Sequence, residues 1–219
     1  MSPPSPSPAR RRALRAGAAA LRKAGYRLIA GADEAGAGPL AGPLVAAAVI
    51  LPAGARLPGV DDSKRLDPAR RERWSMRIRQ SAVSWAVAEV SAAEIDRIGP
   101  LQAAIEGMTR AVGALDPAPD FLLTDARSLP RVGVPQRAVI RGDGRHLVIA
   151  AASILAKHHR DTLMIELDRR YPGYGFARHK GYPSAGHLEA LARLGPCPVH
   201  RRSYAPVRRC LPEQAKLFP

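Results

Sequence analysis

The stretch that decides the fold is Ile29–Leu51, IAGADEAGAGPLAGPLVAAAVIL. A strand-like segment from Tyr26 to Ala32 runs into two adjacent carboxylates, Asp33 and Glu34. A turn built from Gly36, Gly38, Pro39, Gly42 and Pro43 follows, and Leu44–Leu51 reads as a second, buried strand. Successive strand residues point to opposite faces, so neighbouring acids meet in one site only near a strand end or an irregularity. Carboxylates placed together repel unless a cation lies between them, and a divalent ion is the usual solution. A solvated acidic pair before a turn is the plain alternative. The spacing of Gly36, Gly38 and Ala41 also imitates a dinucleotide-binding fingerprint, which needs a helix directly after it. Pro39, Gly42 and Pro43 interrupt that stretch and a strand follows, so the dinucleotide reading fails. The glycines suit a loop that lets backbone approach a ligand closely.

Outward from this stretch, strands alternate with helices. Pro68–Gln80 reads as a helix capped by Asp67, and Val83–Val90 as a strand. Ser91 with Glu94 forms a capping box, and two helices broken at Gly99-Pro100 then run to about Ala114. Phe121–Thr124 and Arg137–Ile140 read as short strands, Leu147–Tyr171 as a long helix and Ser184–Leu194 as another. The alternation predicts an α/β layered sheet. Residues 1–10 are rich in Pro and Ser, and Arg10–Lys23 is an acid-free, basic helix candidate. The division expected is a disordered and basic arm over 1–25, a catalytic domain over 26–210 and a tail over 211–219.

Hydrophobic residues make up 46% of the 219, enough for a sizeable core, but aromatics are only 5%, so Ala, Val, Leu and Ile must build it. No apolar run reaches the roughly 18 residues of a membrane span, and the N-terminus lacks a secretory apolar core, so a cytoplasmic protein is expected. Cys197 and Cys210 have no metal-ligand spacing and read as reduced thiols. Thirty-four Lys and Arg against nineteen acids give a formal charge of +15, which attracts polyanions. Acids placed inside so basic a chain sharpen that reading. Asp125 closes the run FLLT, and Asp143 stands between Gly142 and Gly144 ahead of the long helix. Read alone, Asp143 is a turn or cap residue. Strand ends and helix N-termini are nevertheless where sheet proteins place chemistry.

The Ile29–Leu51 stretch resembles the signature of the ribonuclease HII family, usually DEAGRGPLAGPV, and departs from it at Ala37, where the family has arginine. DDSK (61–64), FLLTD (121–125), GDGR (142–145), AAASILAKHHRD (150–161), YPGYGFARHKGYPSAGHL (171–188) and HRRSYAPV (200–207) resemble further motifs of that family, in its order. The resemblance implies an RNase H-like fold, a mixed central sheet flanked by helices with a helical C-terminal part. It implies a metal-dependent endoribonuclease that cleaves the RNA strand of RNA/DNA hybrids and single ribonucleotides embedded in duplex DNA, leaving 5′-phosphate and 3′-hydroxyl ends. Asp33, Glu34, Asp125 and Asp143 are the implied catalytic residues and metal ligands, with Asp33 bridging. Oxygen-only ligands select Mg²⁺ or Mn²⁺. Backbone at Gly36, Ala37 and Gly38 would test the ribose 2′-hydroxyl, and Tyr182 resembles the tyrosine that packs under the following deoxyribose. Lys64, Lys157, Arg160, Lys180 and Arg201 are candidate phosphate contacts; Lys157 and Arg160, three apart on one helix, share a face. The tail spacing of Gln214, Leu217 and Phe218 resembles the peptide by which bacterial replication and repair proteins dock on the sliding clamp. A monomer is expected. The competing readings are a non-catalytic nucleic-acid-binding module and a metal nuclease confined to DNA or to long hybrids. The first leaves the four acids unexplained.

Overall fold

The computed structural model describes residues 8–60 and 66–212. Lys64 and the DDSK motif, and Gln214, Leu217 and Phe218, therefore lie outside the described residues. Five strands form one mixed sheet: β1 (Ile29–Ala35), β2 (Leu44–Ile50), β3 (Ser84–Val90), β4 (Phe121–Asp125) and β5 (Gln136–Val139), in the order β3-β2-β1-β4-β5. The first three pair antiparallel, while β1 with β4 and β4 with β5 pair parallel. The helices are α1 (Pro8–Lys23), α2 (Pro68–Ser81), α3 (Ala92–Gly113), α4 (Leu147–Arg170), α5 (Phe176–His179), α6 (Ala185–Leu194) and α7 (Ala205–Arg209). A mixed sheet flanked by helices, with short helices closing the C-terminal part, is the RNase H-like arrangement expected from the sequence.

Local chemistry explains the boundaries. Asp67 accepts from the Arg70 N–H at 2.9 Å and starts α2. Ser91 and Glu94 cap α3 reciprocally, and Gly99, at φ 78°, breaks that helix ahead of Pro100. Along β2 every residue is buried, because α3 covers one sheet face and α4 the other. Alternate β1 residues divide between these layers: Ile29 joins the α4 side, Ala30 and Ala32 the α3 side. Gly31 lets α4 lie directly on the strand; a Cβ there would stand 2.3 Å from the Val148 carbonyl carbon.

Within the arm expected over 1–25, the basic helix expected over Arg10–Lys23 is present and packs on the core; residues 1–7 lie outside the described residues. This helix is α1, and its Leu14, Ala18 and Leu21 are buried in the α4-side core. Their i, i+4, i+7 spacing is an apolar stripe that the surrounding Ala and Arg content conceals. Arg22 fixes the helix by donating to the Leu51 carbonyl at 3.2 Å. Among the described residues, no helix is long and apolar enough to cross a membrane.

Candidate active site

The register of β1 makes the cleft. Its antiparallel ladder with β2 continues to Ala35↔Val45, whereas its parallel ladder with β4 ends at Ala32↔Thr124. Beyond Ala32 the β4-side edge of the strand carries no ladder. Asp33 and Glu34 occupy that stretch, inside the strand rather than after it. They obey the strand alternation. Asp33 faces α4, where the Ser153 hydroxyl hydrogen-bonds to it, and Glu34 faces the other way, towards Arg127. Asp125 closes β4 beside them. Asp143 sits in a single 3₁₀ turn (Gly142–Gly144) leading into α4.

All four carboxylates line one cavity of about 460 Å³, together with Gly36, Ala37, Gly38, Ser153, Lys157 and Tyr182. Arg71, which the sequence had not singled out, lines it too. Asp33 is 5% exposed. Burial pushes its carboxyl well above the usual range; Glu34 and Asp125 push it further, and Ser153 opposes them. Burial likewise raises Glu34, Arg127 lowers it and Asp125 raises it. The Arg127 Nε lies 3.6 Å from Glu34 Oε1, while Glu34 Oε2 is buried without a hydrogen-bond partner. Three carboxylates each accept one backbone N–H: Asp33 from Glu34 at 2.7 Å, Asp125 from Gly142 at 2.7 Å and Asp143 from Gly144 at 2.8 Å. In this state no group of three His, Cys, Asp or Glu among the described residues is arranged to hold an ion. Ligation by these acids calls on their remaining oxygens and on side-chain rotation. The site is a cluster of four carboxylates that shares its cavity with the cations Arg71 and Lys157, set in a basic protein.

The candidate cations divide. Lys157 lines the cavity, where Asp161 holds it by a 2.7 Å ion pair and holds Arg71 by a second of 2.7 Å. Lys180 is half-buried and donates to the Ala177 carbonyl. Arg160 and Arg201 are corrected: both are 0% exposed and donate to main-chain carbonyls. Helical spacing put Lys157 and Arg160 on one side, but three residues turn a helix through about 300°. That is enough to send one side chain to the cleft and the other inside. Sequence reasoning also missed a buried cluster in the C-terminal part. His179 stacks on His187 at 4.4 Å, His187 Nε2 meets His200 Nε2 at 3.1 Å, and Cys197 donates its N–H to His200 Nδ1 at 3.0 Å. These histidines are far apart in sequence and follow no ligand spacing. Both cysteines are free, as expected.

The family profile described as Ribonuclease HII matches residues 30–207, which takes in all four carboxylates and both halves of the cleft. The chain belongs to the ribonuclease HII family. Its curated members are named Ribonuclease HII. The Ribonuclease HII of Anaeromyxobacter sp. (strain Fw109-5) is 56% identical over 197 residues, 89% of this chain and 62% of that protein. This chain thus spans under two thirds of that relative's length. Among solved structures, ribonuclease H2 from Pyrococcus horikoshii OT3 superposes with a TM-score of 0.71 at 27% identity, covering 87% of this chain and 99% of the other. The chain matched in the PCNA:RNase HII complex from Archaeoglobus fulgidus gives 0.69 at 29% identity, over 80% and 93%.

Proposed function

We propose that this chain is a divalent-metal-dependent endoribonuclease acting at the cleft of Asp33, Glu34, Asp125 and Asp143. Its substrates are RNA/DNA hybrids and duplex DNA carrying a single ribonucleotide. The observation that carries the reading is the convergence of four carboxylates on one cavity in a chain of formal charge +15. Four acids alone repel a polyanion; neutralised by hard cations they become the means of holding its phosphate. The donor set fits. It is all oxygen, which suits Mg²⁺ or Mn²⁺, and Glu34 Oε2 is a buried acceptor with nothing to accept. Ions bound there would activate the attacking water and stabilise the leaving 3′-oxygen.

The chain's own residues supply the rest. Asp33, the most buried of the four acids, would be a ligand to ions held there. Ser153 orients it. Lys157 offers an ammonium to the phosphate backbone, and Tyr182, 45% exposed at the rim, offers an apolar face to a deoxyribose. Gly36, Ala37 and Gly38 present backbone to the ribose 2′-hydroxyl. The products are a 5′-phosphate and a 3′-hydroxyl. One chain furnishes every carboxylate, which supports a monomer as the active unit. The tail residues Gln214, Leu217 and Phe218 extend the proposal to sliding-clamp docking, which the PCNA complex of the archaeal relative supports.

The test compares three duplexes side by side: all-DNA, DNA with one embedded ribonucleotide, and a continuous RNA/DNA hybrid. With Mn²⁺ or Mg²⁺ the second and third should be cut and the first spared, and EDTA should stop both reactions. Cleavage of the all-DNA duplex at a comparable rate, or cleavage in EDTA, would reject the reading. Ala37 adds a second expectation. Its carbonyl is held by Arg201 at 2.8 Å and by the Tyr204 hydroxyl, so the backbone test of the ribose does not depend on the missing side chain. Ala37→Arg should therefore keep ribonucleotide specificity and lower KM about tenfold, equivalent to about 1.4 kcal/mol of binding. Steady-state kinetics on the embedded-ribonucleotide duplex measure this. An unchanged KM would mean that other cations already fill the role.

A further inference from the structure

Arg160 is a buried cation with an unusual set of partners. It is 0% exposed, and among the described residues it forms no salt bridge. Its Nε donates to the Pro43 carbonyl at 3.0 Å, and one Nη donates to the carbonyls of Ala41 at 3.2 Å and Lys180 at 3.0 Å. Its other Nη is buried without a hydrogen-bond partner. Removing a guanidinium from water without a carboxylate is costly, so the fold retains this group against its solvation preference. Arginine suits such a position because its planar fork points donors in several fixed directions, which a lysine ammonium does not.

The directions matter because each acceptor belongs to one half of the proposed sugar test. Pro43 and Ala41 end the glycine loop. Gly36 begins it, and lies so close that a Cβ there would stand 2.0 Å from Arg160 Nε. Lys180 belongs to the other half. It adopts φ 52°, followed by Gly181 at φ 80°, two successive left-handed residues immediately before Tyr182. A lysine in that region is strained, and persists where its surroundings hold it. The bond from Arg160 to the Lys180 carbonyl is one such restraint. The guanidinium carbon also lies 5.9 Å from the Tyr182 ring centroid, within cation–π range. One rigid plane thus touches both ends of the glycine loop, the turn that aims Tyr182, and Tyr182 itself. Arg201 supports the loop alone, through the carbonyls of Gly36, Ala37 and Gly42.

We propose that Arg160 is a positioning residue for sugar selection: it fixes the distance between the glycine-loop backbone and the Tyr182 ring. The proposal rests on the reading above that these two elements test the ribonucleotide and the deoxynucleotide that follows it. In a continuous hybrid the following sugar carries a 2′-hydroxyl, so the spacing to Tyr182 matters most where a single ribonucleotide is embedded in DNA.

The experiment compares Arg160→Lys, Tyr182→Ala and the double variant on the embedded-ribonucleotide duplex and on a continuous hybrid. Arg160→Lys should lower kcat/KM on the first about tenfold or more, chiefly through kcat, and on the second only about two- to threefold. The double variant should lose clearly less than the product of the two single losses, because both changes act on the same spacing. A merely structural role predicts that both substrates suffer equally, in step with lost folded protein, and that outcome overturns the proposal. If Tyr182→Ala itself leaves the preference between the two duplexes unchanged, the sugar-test reading fails instead, and the proposal with it. Should Arg160→Lys fold poorly, the Arg160 Nε–H resonance of the otherwise wild-type chain gives a second readout. It should shift on Tyr182→Ala and on binding the embedded-ribonucleotide duplex in EDTA; a resonance that moves in neither case overturns the proposal.

Discussion

Replacing Asp33 with Asn should remove cleavage almost completely while making the metal-free protein more stable. The two effects share one cause. Asp33 is nearly fully buried, and both burial and the nearby Glu34 and Asp125 disfavour its charge. A carboxylate whose folded pKa is raised binds a proton in the folded state before it does in the unfolded one. Its favourable contribution is therefore present at low pH and is lost as pH rises from the ordinary carboxylate range through the raised value. At neutral pH the charged form is a liability in the absence of a cation. Asn keeps the size and an oxygen acceptor for the Glu34 N–H, and removes the repulsion. A gain of about 1 kcal/mol, or roughly 2–4 °C in melting temperature, is expected for a chain of this size. The loss of rate should reach about a thousandfold, the several kcal/mol that ion-mediated charge stabilisation supplies. Asp125→Asn and Asp143→Asn should follow in activity, and duplex binding should survive in all three. The checks are thermal denaturation in EDTA from pH 5 to 8, single-turnover cleavage with Mn²⁺, and a binding titration. A variant that cuts at the wild-type rate leaves the catalytic set.

How much of this was legible in the sequence depends on the range of the physics. The strands, the capping box at Ser91 and Glu94, and the helix break at Gly99 rest on local chemistry and stand close to where the residues put them. Asp33 and Glu34 were legible as a pair because a strand leading into a glycine turn is a local pattern. Their real setting depends on β4 leaving the β1 ladder at Thr124, which is a register fact carried by no short stretch of residues. Arg127 and Ser153 reach the site from other elements, so only the fold brings them to Glu34 and Asp33. Arg160 and Arg201 were misplaced for a related reason. Charge predicts exposure, and what overrides it here is a set of main-chain carbonyls, nearly all more than a hundred residues away in sequence, the Lys180 carbonyl on Arg160 being the exception. The α1 helix went the other way: a basic composition concealed an apolar stripe that docks on the core.

The glycine loop separates what folding requires from what a ligand requires. Gly36 is a glycine for reasons within the protein. Its φ is 95°, and a Cβ would collide with Arg160. Gly36→Ala should cost about 2–4 kcal/mol, from left-handed strain and overpacking together. Gly38 has neither constraint. It is exposed, it is not among the glycines with positive φ, and a Cβ there would meet no atom of the protein within 4 Å. Nothing in the free protein requires a glycine at Gly38, yet it lines the cavity beside the carboxylates. The proposed ribose test would account for it: a bare backbone would let a ribose come within hydrogen-bonding distance, and a methyl group would hold it off. Gly38→Ala should leave the melting temperature unchanged or slightly raised, since Ala loses less chain entropy on folding. It should lower kcat/KM on the embedded-ribonucleotide duplex about tenfold or more, as expected when reacting groups are displaced by roughly an ångström. Thermal denaturation and steady-state kinetics on the same preparation decide it. Wild-type kinetics in Gly38→Ala would show that the backbone at this point does not approach the sugar, and would move the ribose test to Gly36 and Ala37.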